Sequence, residues 1–495
     1  MTAYQDLEKR FRRMAALGEA TGMLHWDMAV LMPPGGADAR TEQLTALKLT
    51  VHEMKTDPRL AELLDEAEAT PPEDPWQAAN LREMRRNWVH ANAVGADLVE
   101  ALTRACSKCE MAWRKARPAS DFKTVLPHLK EVLNLVRQEA ETKTAALGGS
   151  RYEALLDQYE PGGRTARIDA LFDDLAAFLP GFLDNALSRQ KARGEAKLPE
   201  GPFPVAKQRA LGERLMRTLG FDFDRGRLDV SLHPFCGGVP DDVRITTRYT
   251  EDDFTQSLMG VLHETGHALY EMGLPPQWRY QPVGDARGMA LHESQSLLVE
   301  MQACRSREYL EFAAPLIRET FDGDGPAWTL ENLYRLYTHV ERGFIRVDAD
   351  EVTYPAHVIL RYRLERALIE GDMQLEDLPA AWNAGMEELL GIRPPEDRLG
   401  CLQDIHWYDG AWGYFPTYTM GALAAAQLFA AAKAAHPEIP ASIARGDFAP
   451  LVGWMRENLH ARGSSGTTDE LLTAATGRPL GTEAFKAHLE ARYGA

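Results

Sequence analysis

Five consecutive residues, His263-Glu264-Thr265-Gly266-His267, have the types and spacing for metal-assisted hydrolysis. Side chains four apart share a helix face, so imidazoles at that spacing reach one ion. Glu264 is rotated from His263 by roughly 100°, as ~3.6 residues per turn require, and so stands beside the ion. The set divides the work into two neutral nitrogen ligands and one carboxylate that acts as base towards a water. The plain alternative is a helix with two histidines on a half-buried face. A catalytic zinc keeps three protein ligands and one open position. A metzincin would place a third histidine six residues after His267, but that position is Gly273. The stretch Met289 to Glu300 reads as a second helix beyond a Pro/Gly-broken loop, and its Glu293 is the candidate third ligand, with His292 as competitor. A carboxylate there leaves a site of net charge about +1 and acidifies a bound water towards pKa about 7. His292, Ser294, Gln295 and Glu300 are unranked candidates for orienting the ligands.

The first helix must hold the histidines at its middle. Thr250 followed by Glu251, Asp252 and Asp253 predicts its N-terminus, with acids against the positive end of the dipole. Phe254, Leu258, Val261, Leu262, Leu269 and Met272 give a core face, and Gly273 and Pro275 stop it. Upstream, 227–232 and 243–249 alternate and are rich in β-branched residues, which predicts two strands; Cys236-Gly237-Gly238-Val239-Pro240 is read as the turn between them.

Five segments in order resemble the carboxypeptidase Taq-type metallocarboxypeptidases. Asp242-Val243-Arg244-Ile245-Thr246 fits D-x-R-x-T, and His263 to His267 fits H-E-x-x-H. His292-Glu293-Ser294-Gln295 fits H-E-S-Q, and Ile345-Arg346 through Ala349-Asp350 fits I-R-x-x-A-D. Gly400 through Gln403-Asp404 to His406-Trp407 fits G-x-x-Q-D-x-H-W. Leu24-His25-Trp26-Asp27 and Met32-Pro33-Pro34-Gly35-Gly36 are also similar, and the likeness runs from about residue 4 to the C-terminus.

The resemblance implies a mostly α fold: a neurolysin-like helical ellipsoid, also similar to angiotensin-converting enzymes, with a deep substrate groove and a small β-sheet beside the site. It implies broad release of C-terminal amino acids from peptides, poor tolerance of proline near the scissile bond, Zn2+ or Co2+ as the metal, and a homodimer. A substrate carboxylate calls for a buried arginine fork. By the motif match Arg346 is the first candidate; Arg244 is the second, or else a structural partner of a nearby acid. Oxyanion donors are sought in His406 and the tyrosines of 413–418, and likeness to related zinc peptidases favours His406 and Tyr418. Gln403 is a candidate contact to the substrate terminus. A strand edge could pair with extended substrate backbone, which puts His233-Pro234-Phe235 near the groove. Glu264 is expected to take a proton from the attacking water and return it to the leaving amine.

The 495 residues carry a formal charge of −18, from 55 basic and 73 acidic residues, which argues against nucleic acid or anionic membrane as a partner. There is no transmembrane-length apolar run and no signal-peptide core at the N-terminus, so a cytoplasmic location is expected. Five cysteines suit reduced thiols; Cys106-Ser107-Lys108-Cys109 reads as two incidental helix cysteines. Breaks at 70–75, 161–164, 199–204 and 394–397 are short, so one helical domain over 1–495, with two lobes, is expected. Thr467 to Glu470 reads as a capping box opening a helix that Gly477 and Pro479 stop. Two rival readings remain: a zinc oligopeptidase or dipeptidase with the same core, and an inactive helical scaffold that binds peptides.

Overall fold

The computed structural model describes residues 2–494, and helices dominate it. The first helix, α1 (Ala3–Val30), opens with a capping box between Thr2 and Gln5. Its Tyr4, Leu7, Phe11 and Met14 form a small apolar cluster with Leu60, Leu63 and Leu64. The main apolar core draws side chains from Ala105 to Tyr493. The four sequence breaks fall between helices, and a helix Thr468–Thr476 opens on the expected Thr467–Glu470 capping box. Cys106 and Cys109 lie in the helix Ala96–Ala119 as free thiols, and burial raises them to about 11 and about 12.

One three-stranded sheet flanks the groove: β1 (Gly226–Val230), β2 (Cys236–Val239) and β3 (Asp242–Thr247), in the order β1-β3-β2. The two expected strands are present, but they pair in parallel, with Gly226 opposite Val243. The expected turn over 236–240 is instead the third strand, antiparallel to β3 with Val239 opposite Asp242, and the tight turn is Pro240-Asp241. Two glycines hid that strand. At Gly238, with φ 86°, a Cβ would lie 2.1 Å from the Asp242 oxygen, so the close pairing needs glycine. The middle of β2 carries α1, with Trp26 against Gly237; Trp26 also packs on Phe235, ring centroids 5.2 Å apart.

Helix α2 (Thr255–Gly273) holds the histidine pair. It starts later than the Thr250 expectation. The Glu251 carbonyl accepts from Phe203 N–H, and Phe254 is pulled into an aromatic cluster with Phe203, Phe321 and Trp328. The N-cap is Phe254, which has no capping side chain; Asp253 just before it accepts from Thr255 N at 2.7 Å and Thr255 Oγ1 at 2.6 Å. The buried stripe Leu258, Val261, Leu262, Ala268, Leu269 and Met272 seats the helix between the sheet and the main core.

Helix α3 (Gly288–Leu297) continues into a π-helical segment, Leu298–Cys304. The helix α4 (Tyr354–Glu370) and the Ala-rich α5 (Pro416–Ala435) close the far wall. The last helix, α6 (Glu483–Tyr493), packs against α5. Two glycines set the spacing of α2, α3 and α5. A Cβ on Gly266 would lie 2.4 Å from the Gln295 oxygen, and one on Gly421 would lie 2.9 Å from Glu293 Cβ. Three backbones therefore close on Glu293 to a distance that larger residues forbid.

Candidate active site

The side chains of His263, His267 and Glu293 converge, with one donor atom from each within 4.8 Å of the others. His267 Nε2 is 3.4 Å from Glu293 Oε2, and His263 Nε2 is 3.8 Å from it. The two rings stand near-perpendicular with centroids 5.1 Å apart. Helical spacing delivers the pair to one face, and the Gly266 contact brings α3 close enough for Glu293 to meet it.

The outer ring nitrogens fix the tautomers. His263 Nδ1 lies 2.9 Å from Glu300 Oε2, an acceptor only, so the ring donates there and Nε2 is the nitrogen that a neutral ring would offer to an ion. His267 Nδ1 lies 2.7 Å from His292 Nδ1, while His292 Nε2 lies 2.8 Å from Glu271 Oε1. His292 must donate to Glu271, so it accepts from His267, whose Nε2 is left bare. In this arrangement His292 stands behind His267, and Glu293 is the acid that lies against both histidines. Arg305 pairs with Glu300 at 2.5 Å from five residues along the chain. In an α-helix such residues lie about 140° apart. The π turn, with i→i+5 bonding, brings them into line.

The donor set fits a divalent cation: two imidazole nitrogens, one carboxylate oxygen and oriented partners behind them. Burial disfavours a charged His263, yet its bond to Glu300 and the charges of Glu293, Glu300 and Glu264 raise it to about 10, so without an ion the ring carries a second proton, on Nε2, that a cation would displace. Burial also opposes ionised Glu293, but the His267 bond and the His263 charge hold it at about 2. Burial lowers His267 to about 4. Glu264 does not join the trio. It lines the same cavity, 7 % exposed, and burial, helped by the Glu293 charge, raises it to about 7.

That cavity, about 620 Å³, is walled by Pro234, Phe235 and Cys236 on one side and by Arg346, Tyr354, Tyr414 and Tyr418 on the other. Arg346 is buried. Its Nε and Nη2 donate to Asp404 Oδ1 at 3.1 and 2.8 Å, its guanidinium lies over the Tyr418 ring, and Nη1 has only Tyr354 Oη at 3.4 Å. Tyr418 reaches His406 Nε2 at 3.3 Å, and burial lowers His406 to about 4, so the imidazole is neutral.

The remaining expected contacts are placed elsewhere. Arg244 points along β3 and forms a fork with Asp242, at 2.9 and 2.5 Å, and it does not line the cavity. Gln403 is fully engaged: its oxygen accepts from Arg346 N and Arg361 Nη2, and its amide donates to the Phe344 and Leu399 carbonyls. His233 is exposed and does not line the cavity, though Pro234 next to it does, and its side chain has no hydrogen-bond partner among the described residues. Sequence reasoning missed Glu271, Arg305, Tyr354 and Arg361. One signal was available for two of them, since Tyr354, His357 and Arg361 follow i, i+3, i+7 spacing and so share one face of α4.

Residues 6–493 match the family described as carboxypeptidase Taq (M32) metallopeptidase. The chain is 40% identical over 504 aligned positions to thermostable carboxypeptidase 1 of Thermus thermophilus, covering all of this chain and 98% of that one. Among solved structures, Trypanosoma cruzi metallocarboxypeptidase 1 superposes with a TM-score of 0.97 at 43% identity, covering 100% of this chain and 99% of that one. The M32 carboxypeptidase from Deinococcus radiodurans R1 superposes at 0.93 with 36% identity and 99% coverage of both chains. With the histidine pair, its carboxylate partner and a match along almost the whole chain, the protein belongs to the carboxypeptidase Taq (M32) family and is a metallocarboxypeptidase.

Proposed function

We propose that the protein releases single C-terminal amino acids from peptides with broad specificity, using Zn2+, or Co2+, held by His263, His267 and Glu293. When bound, the ion supplies Lewis acidity: it polarises the scissile carbonyl and acidifies a water. Glu264 receives that water's proton and carries it to the leaving amine; a carboxyl at about 7 suits both directions near neutral pH. Arg346 binds the substrate's terminal carboxylate through Nη1, which faces the cavity. Tyr418, held by neutral His406, donates to the developing oxyanion. Pro234 to Cys236 bound the groove where extended backbone would lie, with His233 at the entrance. The fork to Asp242 and the full engagement of the Gln403 amide favour supporting roles for Arg244 and Gln403.

One observation carries this reading: a buried guanidinium, whose Nη1 makes a long 3.4 Å contact to Tyr354 Oη, lines one cavity with the His263, His267 and Glu293 trio. It favours a carboxypeptidase over an oligopeptidase or dipeptidase built on the same core, and an intact ligand set disfavours an inactive scaffold. Mass spectrometry of products from free and C-terminally amidated peptides, after chelation and metal return, tests it. Amidation is expected to abolish cleavage, and equal cleavage of both forms would refute the anchor. The same proposal takes 1–495 as one domain of two lobes, since the main core draws on residues from Ala105 to Tyr493. It places the enzyme in the cytoplasm as a homodimer. No helix among the described residues is long and apolar enough to cross a membrane.

A further inference from the structure

Behind Arg346 lies a second, wholly buried guanidinium, and the charges do not balance. Arg361, on α4, is 0 % exposed. Its Nε donates to Asp404 Oδ2 at 2.6 Å, its Nη2 to Gln403 Oε1 at 2.7 Å and its Nη1 to the His357 carbonyl at 2.7 Å, and it stacks on Trp382. Arg346 takes the other oxygen of the same carboxylate. Among the described residues, Asp404 is the one acid within ion-pair reach of either arginine. The titratable neighbours are neutral: burial lowers His357 to about 3 and His406 to about 4, and Tyr354 and Tyr418 are phenols raised by burial. Burial and the Arg346 charge lower Arg361, but only to about 10, so it stays cationic. Two positive charges thus share one negative charge in a buried wall. A single uncompensated buried charge is costly and attracts an anion strongly.

We propose that Arg361 is a positioning residue for substrate affinity. By holding half of Asp404, it keeps Arg346 from being neutralised and leaves one unmatched positive charge to meet a substrate carboxylate. It touches no substrate itself. With Arg361 absent, Asp404 would pair fully with Arg346 and the anchor would lose its net charge. This rests on Arg346 being the carboxylate anchor.

The test is steady-state kinetics on the metal-loaded enzyme, with unfolding midpoint and metal content as fold controls. Arg346→Met must raise KM for free-carboxylate peptides; if it does not, the anchor reading itself fails. Arg361→Met should raise KM by about tenfold or more while kcat stays within about threefold, the pattern of lost uniform binding. It should weaken inhibition by free amino acids in parallel. Arg361→Lys keeps the charge without the fork and should recover most of the affinity; a purely structural fork would leave Lys as poor as Met. Should Arg361→Met fail to fold, Gln403→Glu reads the same balance, because it sets a negative charge against Arg361 Nη2, 2.7 Å from the side-chain oxygen, and it too should raise KM. Unchanged KM in whichever of these variants folds, with Arg346→Met impaired, would overturn the role of Arg361 alone.

Discussion

Glu264 and Glu293 are chemically identical, and their surroundings set them about five units apart, at about 7 and about 2. The difference fits one for proton transfer and the other for permanent ligation. Glu264→Gln should retain metal by elemental analysis and lose about 10²–10⁴ in kcat, the usual reach of general acid–base catalysis. A variant that loses both metal and activity would instead make Glu264 a structural group. His292 offers a second test. Replacing it with Phe keeps the volume but takes away the acceptor for His267 Nδ1. Metal affinity, measured by chelator competition, should fall about 10–100-fold, as for other groups that orient ligands. The histidine pair was legible in the sequence because helical periodicity alone puts His263 and His267 on one face; Glu293 was a choice over His292 that periodicity does not make. Arg346 and Gln403 were legible only as members of a motif. Which one faces the groove depends on Asp404 and Arg361, and contacts 58 and 43 residues apart leave no local pattern.

At the scale of elements, the site depends on how closely three helices approach. Gly421 on α5 faces the stem of Glu293, with 2.9 Å available to a Cβ from Glu293 Cβ and Cγ and 3.1 Å from the Ala290 oxygen. Gly421→Val should cost about 1–3 kcal/mol from overpacking. It should also displace Glu293, so urea midpoint and metal affinity should fall together; a stable variant with normal affinity would show the contact to be slack. Element types were read well where periodicity was strong, as in α2 and the capped helix after Thr467. They were misread where tertiary contacts overrode local signals. Phe254 joined an aromatic cluster and delayed the start of α2, and Cys236-Gly237-Gly238 pairs as a strand because β3 and α1 pack on its two sides. Parallel pairing of β1 with β3 was invisible, since strand order is not a property of either strand.

For the whole molecule, the C-terminal helix is tied to the groove wall by one buried acid. Glu351 accepts from His488, Arg492, Tyr493 and Gln302, at 2.7 to 3.1 Å. Burial opposes its charge, but His488 and Arg492 outweigh burial and lower it from 4.5 to about 2. A depressed carboxylate stabilises the fold fully above its unfolded pKa and loses that contribution as pH falls through its folded one. Glu351→Gln should therefore cost about 3–5 kcal/mol at neutral pH, leaving Arg492 buried without its partner. The gap between wild-type and variant unfolding midpoints should narrow as pH drops from 4.5 towards about 2. A gap that stays constant with pH would remove the acid from this account. The long segment Leu298–Cys304 carries a different lesson. A one-residue deletion ahead of Glu300 that let the segment relax into an ordinary helix would leave Glu300 and Arg305 about 140° apart and break their pair. A straightened helix over those seven positions would therefore slacken the brace behind His263 without altering any of the three converging side chains themselves.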